Sequence, residues 1–254
     1  MTLRLSSSRI HTHKTTVNSL TSLTKPTFIV GFFTAVKYSM KIRRHSERGM
    51  IQPAWDPLIT SYRSFSFEGY QDARYINWGP IKTINDDRTQ PGFVTTWHEH
   101  KDLDILSYVV RGEVYHKDNL GNELIARPGQ VQHMWCGDSI WHSEANQGTV
   151  ENRYLQIWIM HNELVDPTAT YNLVTRDKTF SKLPIEFKNS KIEIWAGDFI
   201  GGFITQHSYM LVLEGSCTVD GIVLDEGDSF ETRDQVTVTA KQPAHLLLFE
   251  LLIR

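Results

Sequence analysis

Beyond Met40, the sequence is built of short β-type runs that alternate with turn signals. Runs such as LDILSYVV (residues 103–110) and RYLQIWIM (153–160) are separated by turns such as KDNLGN (117–122) and RPGQ (127–130). Short apolar strands with regularly spaced turns are typical of a β-sandwich or β-barrel. No long amphipathic helical pattern competes with them, which argues against alternating strands and helices. The sequence therefore predicts an all-β fold.

An internal repeat indicates two similar barrels in one chain. The segment 109–131 resembles the segment 212–230, since each runs strand, glycine, strand, turn, strand, glycine turn and strand. Gly112 and Gly129 of the first copy align with Gly215 and Gly227 of the second. A repeated supersecondary pattern indicates a repeated structural unit. We predict an N-terminal domain over residues 40–165 and a C-terminal domain over residues 166–254.

Composition narrows the functional classes. The chain has 254 residues, a net charge of −3 and a pI of about 6.4, which argues against a nucleic-acid-binding surface. The two cysteines, Cys136 and Cys217, form no disulfide framework and suit a reducing compartment. We therefore expect a cytoplasmic protein that binds neither nucleic acid nor membrane.

The first 39 residues differ in character from the rest. They contain no Asp or Glu and are rich in Ser and Thr, as in a transit peptide. The apolar run TFIVGFF (27–33) is too short to span a membrane. We expect residues 1–39 to be a disordered extension or a targeting segment.

Two pairs of polar side chains carry the chemistry. Alternate residues of a strand point to the same face, so His98 and His100 project together, as do His142 and Glu144. If both strands line one barrel interior, three imidazoles and one carboxylate converge there. This ligand set suits a divalent transition metal and leaves positions open on an octahedral ion.

The remaining histidines give weaker signals. His116 lies near a turn and is expected to be exposed. His133 faces either the cavity of the metal ligands or the opposite side. His161, His207 and His245 are expected to be structural or surface residues.

The sequence around these ligands resembles the pirin family of the cupin superfamily. The resemblance rests on HEHKDLDILSYVVRGEVYHKDNLGNE (98–123) and RPGQVQHMWCGDSIWHSE (127–144) and extends from about Met40 to the C-terminus. It is strongest for bacterial pirin-like proteins with quercetin 2,3-dioxygenase activity. The resemblance implies two cupin barrels, a bicupin, with one mononuclear metal in the N-terminal barrel.

Carried over residue by residue, the resemblance gives the metal ligands as His98, His100, His142 and Glu144. It implies Fe(II), with Mn, Ni, Co, Cu or Zn as alternatives. The chain departs from the family pattern at two places. Asp104 replaces a frequent Glu, for which we expect an indirect role beside the ligands. The usual Gly-x-Gly before His-Ser-Glu is Gly-Asp-Ser, residues 137–139, a bulkier loop at the cavity mouth that bears on the choice of substrate.

The resemblance implies a metal-dependent dioxygenase that cleaves quercetin-like flavonols with dioxygen. Glu144 would take the proton of the substrate hydroxyl. Four aromatic residues flank the ligand pairs and are candidates for lining an apolar cavity: Phe93, Trp97, Trp135 and Trp141. The alternative is a pirin-like regulator that acts through a protein partner, with the metal as a redox or conformational element. A sugar-phosphate isomerase lacks support, because no basic cluster for a phosphate is evident.

The second copy lacks the ligands of the first. Counting from the aligned glycines places Gly201 and Phe203 at the positions of His98 and His100, and Ala240 and Gln242 at those of His142 and Glu144. None of the four replaces the original ligand. The sequence thus predicts one metal per chain.

We predict that residues 1–39 are dispensable for folding, because the family-like region begins at Met40. A shortened chain that starts at Met40 should melt at the same temperature as the full chain, measured by circular dichroism. Insolubility or a much lower midpoint would contradict this.

Overall fold

The computed structural model describes residues 40–54, 56–161, 166–188 and 190–252. Residues 1–39, predicted to be an extension or targeting segment, lie outside the described residues. The described residues form nineteen strands and a 3-10 turn at His45–Glu47, with no α-helix. The strands are β1 Lys41–Arg43, β2 Gly49–Ile51, β3 Ile59–Arg63, β4 Ile81–Thr89, β5 His98–His100, β6 Leu103–Arg111, β7 Val114–Asp118, β8 Glu123–Ala126, β9 Gln130–Trp135, β10 Ile140–Ala145, β11 Asn152–Met160, β12 Thr170–Thr175, β13 Ser181–Lys182, β14 Ile192–Thr205, β15 Ser208–Glu214, β16 Ser216–Val219, β17 Ile222–Asp225, β18 Ser229–Thr232 and β19 Val236–Leu251. Within this part of the chain, we find no helix with the length and apolarity that a membrane crossing needs.

The first barrel consists of two sheets that face each other. One has seven strands in the order β12-β9-β6-β11-β4-β3-β2, and the other has four in the order β5-β10-β7-β8. Side chains join them across the interior, as in the hydrogen bond from Ser107 Oγ on β6 to Glu144 Oε1 on β10 (2.8 Å). Polar side chains therefore meet between the two sheets, beside the buried apolar residues Ile105 and Ile140.

The second barrel is built from one eight-stranded sheet. Its main path runs β1-β18-β15-β19-β14-β13, and β16 pairs with both β17 and β19. The 16-residue strand β19 pairs with β14, β15 and β16, which curves the sheet around an apolar interior. The prediction of an all-β fold with two cupin barrels is confirmed.

The repeat seen in the sequence has a structural cause at its glycines. Gly112 and the aligned Gly215 have φ angles of +68° and +77°, a region that strongly favours glycine. A Cβ on Gly112 would also lie 2.8 Å from that of Asn152, and one on Gly215 would lie 3.0 Å from the carbonyl oxygen of Pro243. Both copies thus need glycine at the same turn, for the same reason.

Hydrogen bonding crosses the predicted boundary between residues 165 and 166 in both directions. Strand β1, near the start of the described chain, pairs with β18 of the second barrel. Strand β12, which follows the boundary, pairs with β9 of the first barrel. The division at 165 and 166 stays a prediction about the sequence units, and each barrel takes in one strand from beyond it.

The two barrels share one hydrophobic core. Its buried members come from both halves and include Leu106 and Leu155 of the first barrel and Leu211 and Phe249 of the second. Strand β6 contributes alternate residues to this core and buries its other face in the first barrel. Because both faces are covered, β6 reads as a nearly continuous apolar run.

A buried arginine also ties the halves together. Arg153 on β11 binds both carboxylate oxygens of Asp86 (2.8 and 2.9 Å) and donates to the carbonyl oxygen of Leu213 (2.9 Å) and to Glu226 (2.8 Å) in the second half. Burial alone would raise the pKa of Asp86, but the hydrogen bonds and charge of Arg153, together with the charge of Arg48, lower it to about 2. The ion pair therefore stays charged at neutral pH.

We predict that Arg153→Ala lowers the free energy of unfolding by about 3–5 kcal/mol, because it leaves the Asp86 carboxylate buried without its main partner. Urea unfolding followed by tryptophan fluorescence measures the change. Arg74→Ala, which breaks the exposed pair with Asp72, is the control and should leave the midpoint almost unchanged. Equal effects of the two variants would contradict the role of Arg153.

Candidate metal centre

The register of the four-stranded sheet brings the predicted ligands together. Strand β10 lies between β5 and β7, with His142 opposite His98 and Glu144 opposite His116. Because side chains alternate along a strand, these four residues and His100 point into the first barrel. The observed register therefore brings His98, His100 and His142 together, as their spacing in the sequence predicted.

Three of the predicted ligands form a compact cluster. The ring centroids lie 4.5 Å apart for His98 and His142, 4.7 Å for His98 and His100, and 4.9 Å for His100 and His142. One ring nitrogen from each residue lies within 4.8 Å of the other two. Burial, together with the neighbouring imidazoles, lowers the pKa of His100 to about 4 and that of His142 to about 2. The buried rings are therefore neutral near pH 7 and offer nitrogen lone pairs.

The nitrogens of this cluster fit a metal because they lack other partners. Nε2 of His100 and both ring nitrogens of His142 are buried without a hydrogen bond among the described residues. Buried polar atoms are almost always paired, and leaving one unpaired costs about 1–3 kcal/mol. His98 Nδ1 lies 2.7 Å from the carbonyl oxygen of Thr96, an acceptor, so this nitrogen carries the proton and Nε2 has the lone pair. A divalent metal would bind the lone pair on one ring nitrogen of each of the three residues.

Glu144 lies on the same face but in a second, overlapping group. Its carboxylate accepts hydrogen bonds from Ser107 Oγ (2.8 Å) and Gln156 Nε2 (3.0 Å). Potential ligand atoms of Glu144, His142 and His116 lie within 4.8 Å of one another. At that separation, the four predicted ligands form two groups that share His142. Burial raises the pKa of Glu144 to about 7, so its carboxylate can take up a proton near neutral pH.

The expectation that His116 is exposed was wrong. The residue is 1% exposed, and its ring stacks on Tyr171 with centroids 4.4 Å apart. Its Nε2 lies 3.1 Å from Asp118 Oδ2, while Nδ1 is buried without a partner. The i, i+2 spacing of His116 and Asp118 is the same signal that revealed the other pairs. That spacing was available in the sequence.

The predicted aromatic lining is largely incorrect. Trp97 and Trp141 are 46% and 38% exposed, and Phe93 belongs to the buried core. Trp135 lines a different cavity, on the far side of the seven-stranded sheet. Since Trp97 and Trp141 each precede a ligand by one residue, alternation places them on the outer face.

Other aromatic residues approach the cluster instead. The ring of Trp158 on β11 lies 4.8 Å from that of His100, edge to face, and Phe67 packs against Trp158 at 4.7 Å. Tyr171 covers His116, as described above. Trp158 Nε1 donates to Gln156 Oε1 (2.9 Å), so this aromatic wall is joined to the amide that holds Glu144. Sequence reasoning missed these residues because Trp158 and Tyr171 belong to the facing sheet and Phe67 lies in the segment between β3 and β4.

Asp104 does not take the predicted place beside the ligands. Its two carboxylate oxygens accept hydrogen bonds from Nε2 of His133 (2.7 Å) and Nε2 of His161 (2.6 Å). It stands three residues before Ser107 on β6, and this odd spacing puts it on the opposite face of the sheet. His133, whose direction was left open, faces the same way as Asp104.

The second barrel repeats the register without the ligands. Gly201 lies opposite Ala240, just as His98 lies opposite His142, and Phe203 lies opposite Val238 as His100 lies opposite Ile140. The positions counted from the sequence are therefore spatially equivalent. Phe203 packs against Phe180 and Phe199, with centroids 5.2 and 5.0 Å away. Apolar side chains occupy the place of the histidine cluster.

The fold and the site define a bicupin protein whose first barrel carries a buried histidine cluster suited to a metal. Residues 42–159 match the family model described as Pirin, and residues 204–251 match the model described as quercetinase C-terminal cupin domain. The chain therefore carries a pirin domain followed by a quercetinase-type C-terminal cupin domain.

Several known proteins resemble the chain over most of its length. Quercetin 2,3-dioxygenase of Escherichia coli (strain K12) is 28% identical, over 83% of this chain and 97% of that protein. The structure of bacterial pirin YhhW from Escherichia coli in complex with nickel(II) is 26% identical, with a TM-score of 0.76, over 84% of this chain and 99% of the other. GK1651 from Geobacillus kaustophilus is 19% identical and shares the fold, with a TM-score of 0.67. The match covers 87% of this chain and 99% of GK1651.

We predict that His98→Ala and His142→Ala each remove most of the bound metal, because each deletes one of three neighbouring nitrogen ligands. Elemental analysis of protein purified without added metal measures the content, which should be near one ion per unaltered chain. Glu99→Gln is the matched control, since Glu99 lies between His98 and His100 but faces outward. Full occupancy in both histidine variants, or a stoichiometry near two, would contradict the assignment.

Proposed function

We propose that the protein is a metal-dependent dioxygenase that cleaves quercetin-like flavonols with dioxygen. The observation that carries this proposal is the set of buried, unpaired nitrogens of His100 and His142 beside the carboxylate of Glu144. The names of the relatives support the substrate class, and the nickel(II) complex of the Escherichia coli relative supports a divalent metal.

The proposed ligands are His98, His100, His142 and Glu144, and the proposed resident metal is one Fe(II) per chain. Mn, Ni, Co, Cu and Zn are alternatives, because imidazole nitrogen and carboxylate oxygen bind all of these ions. A redox-active divalent metal bound here would supply Lewis acidity toward the flavonol hydroxyl and electrons toward dioxygen.

Glu144 is the proposed proton acceptor. Burial opposes the negative charge of the Glu144 carboxylate and so raises its pKa, which favours the uptake of a proton. Ser107 and Gln156 bind one carboxylate oxygen each and so fix the plane of the group. The proton of the flavonol hydroxyl would pass to this carboxylate as the substrate binds.

The aromatic wall formed by Trp158 and Phe67 suits a planar substrate. The planes of the Trp158 and Phe67 rings meet at 72°, so the wall presents the face of one ring and the edge of the other. Trp158 also reaches Gln156 through its indole nitrogen, which links the wall to the carboxylate. Apolar rings of this kind exclude water and hold a flavonol by burial.

The test is dioxygen-dependent cleavage of a panel of flavonols by the full chain, loaded separately with iron, manganese, nickel, cobalt or copper. Loss of flavonol absorbance and release of carbon monoxide should require dioxygen and metal. If every loaded form fails on several flavonols, the proposal is wrong, and a regulatory role through a protein partner becomes the leading alternative.

We predict that Glu144→Gln lowers the rate of flavonol cleavage at least about a hundredfold while retaining part of the metal, because an amide cannot accept the proton. Activity is measured per bound metal ion, so that lost affinity is not counted as lost catalysis. Glu99→Gln, which makes the same chemical change on the outer face, should keep full activity. An active Glu144→Gln variant would exclude this residue as the base.

A further inference from the structure

A second polar cavity lies on the opposite face of the seven-stranded sheet from the histidine cluster. Its volume is about 420 Å³, within the usual range of small-molecule sites. Asp104 of β6, His133 and Trp135 of β9, and Asn172 of β12 form one wall, and the segment 184–188 contributes the other. The proposed dioxygenase does not use this cavity.

A histidine held in place by a carboxylate faces this cavity. His133 Nε2 lies 2.7 Å from one carboxylate oxygen of Asp104, and His161 Nε2 lies 2.6 Å from the other. The three side chains are only 10%, 3% and 2% exposed, in the order His133, Asp104 and His161. Burial alone would raise the pKa of Asp104, but the hydrogen bonds from the two histidines lower it, so the carboxylate is ionised.

The bracing leaves one nitrogen of His133 available. Since an ionised carboxylate only accepts hydrogen bonds, Nε2 of His133 carries a proton and donates it to Asp104. Nδ1 has no hydrogen-bond partner among the described residues, and His133 lines the cavity. In the neutral ring, Nδ1 is therefore a fixed acceptor for a ligand that brings its own donor.

The other residues that line the cavity indicate the polarity and charge of the ligand. Trp135 offers an indole ring, and Val174 and Ile185 are aliphatic, so most of the ligand should be apolar and aromatic in shape. The cavity does not favour an anion, because two carboxylates, Asp104 and Glu186, stand against one ammonium group. That ammonium, of Lys188, is already paired with Asp166 at 2.5 Å.

We propose that this cavity binds a small neutral aromatic alcohol of the phenol class. The hydroxyl donates its hydrogen bond to Nδ1 of His133, and the ring lies between Trp135 and the aliphatic wall. The site is distinct from the metal centre, and the proposal does not depend on the dioxygenase activity.

The experiment compares three probes that differ in one property each, with the full-length chain and ligand-observed NMR titration. 4-Methylphenol should bind saturably. 4-Methylanisole, which lacks the hydroxyl proton, should bind about tenfold more weakly, as expected for one lost hydrogen bond to a buried acceptor. Benzoate, an anion of similar size, should also bind more weakly. Saturable binding that is equal for all three probes, or strongest for benzoate, would overturn the proposed class.

Two variants locate the binding site. His133→Phe keeps a ring but removes the acceptor, and Asn172→Phe, directly opposite His133 on the neighbouring strand, fills the cavity from an exposed position. Each should weaken 4-methylphenol binding at least about tenfold, with thermal melting used to confirm folding. Because Asn172 is exposed, its variant remains informative if His133→Phe does not fold.

His142→Ala separates this cavity from the metal centre, and it should bind 4-methylphenol as tightly as the unaltered chain. If His142→Ala abolishes binding while Asn172→Phe does not, the phenol occupies the metal barrel and the proposal is wrong. If the unaltered chain shows no saturable binding, the cavity holds only solvent and the proposal is also wrong.

Discussion

The pairing of β10 between β5 and β7 is the constraint on which the candidate site depends. A slip of one residue would turn His142 and Glu144 outward and bring Trp141 and Ser143 inward. Polar side chains just outside the ladder oppose such a slip. Ser143 Oγ donates a hydrogen bond to the carbonyl oxygen of Thr95 (2.8 Å). The backbone N–H of Glu144 donates one to the hydroxyl oxygen of Thr95 (2.8 Å). A further bond joins the Trp141 amide to the side chain of Asn119 (3.0 Å) on the other edge.

Alternation along a strand explains both what the sequence predicted and part of what it missed. The i, i+2 spacing placed His98 with His100 and His142 with Glu144, and the observed register agrees. The same rule, applied to Trp97 and Trp141, would have placed them on the outer face. Their nearness to the ligands in sequence was mistaken for nearness in space.

The rest of the site was not predictable from local patterns. Gln156 and Trp158 lie in a strand that reads as core, and only the packing of the seven-stranded sheet on the four-stranded sheet brings them to Glu144 and His100. The burial of His116 depends in the same way on Tyr171, which lies far along the chain. Long-range packing sets these contacts, and one sequence carries no direct record of it.

The two barrels divide the physical tasks of the chain. The first buries histidines and a carboxylate, an arrangement that costs stability unless those groups are paired or bind a metal. In the second, Gly201, Phe203 and Ala240 stand at the corresponding positions, and Phe203 packs with Phe180 and Phe199 against a buried apolar core. The shared core and the Arg153 ion pair then couple the polar barrel to the apolar one. This coupling offers a physical reason why a barrel without metal ligands remains part of the protein.

One sheet supports two polar sites because its faces are independent. On β9, Gln132 accepts a hydrogen bond from Tyr171, the residue that covers His116 in the metal barrel, while His133 points the other way to Asp104. On β6, Ser107 likewise points into the metal barrel, whereas Asp104 points to the opposite face of the sheet. A side chain on one face can therefore change without moving the groups on the other, provided that the register holds. The departure at Asp104, which the sequence suggested would affect the metal centre, instead belongs to the cavity behind it.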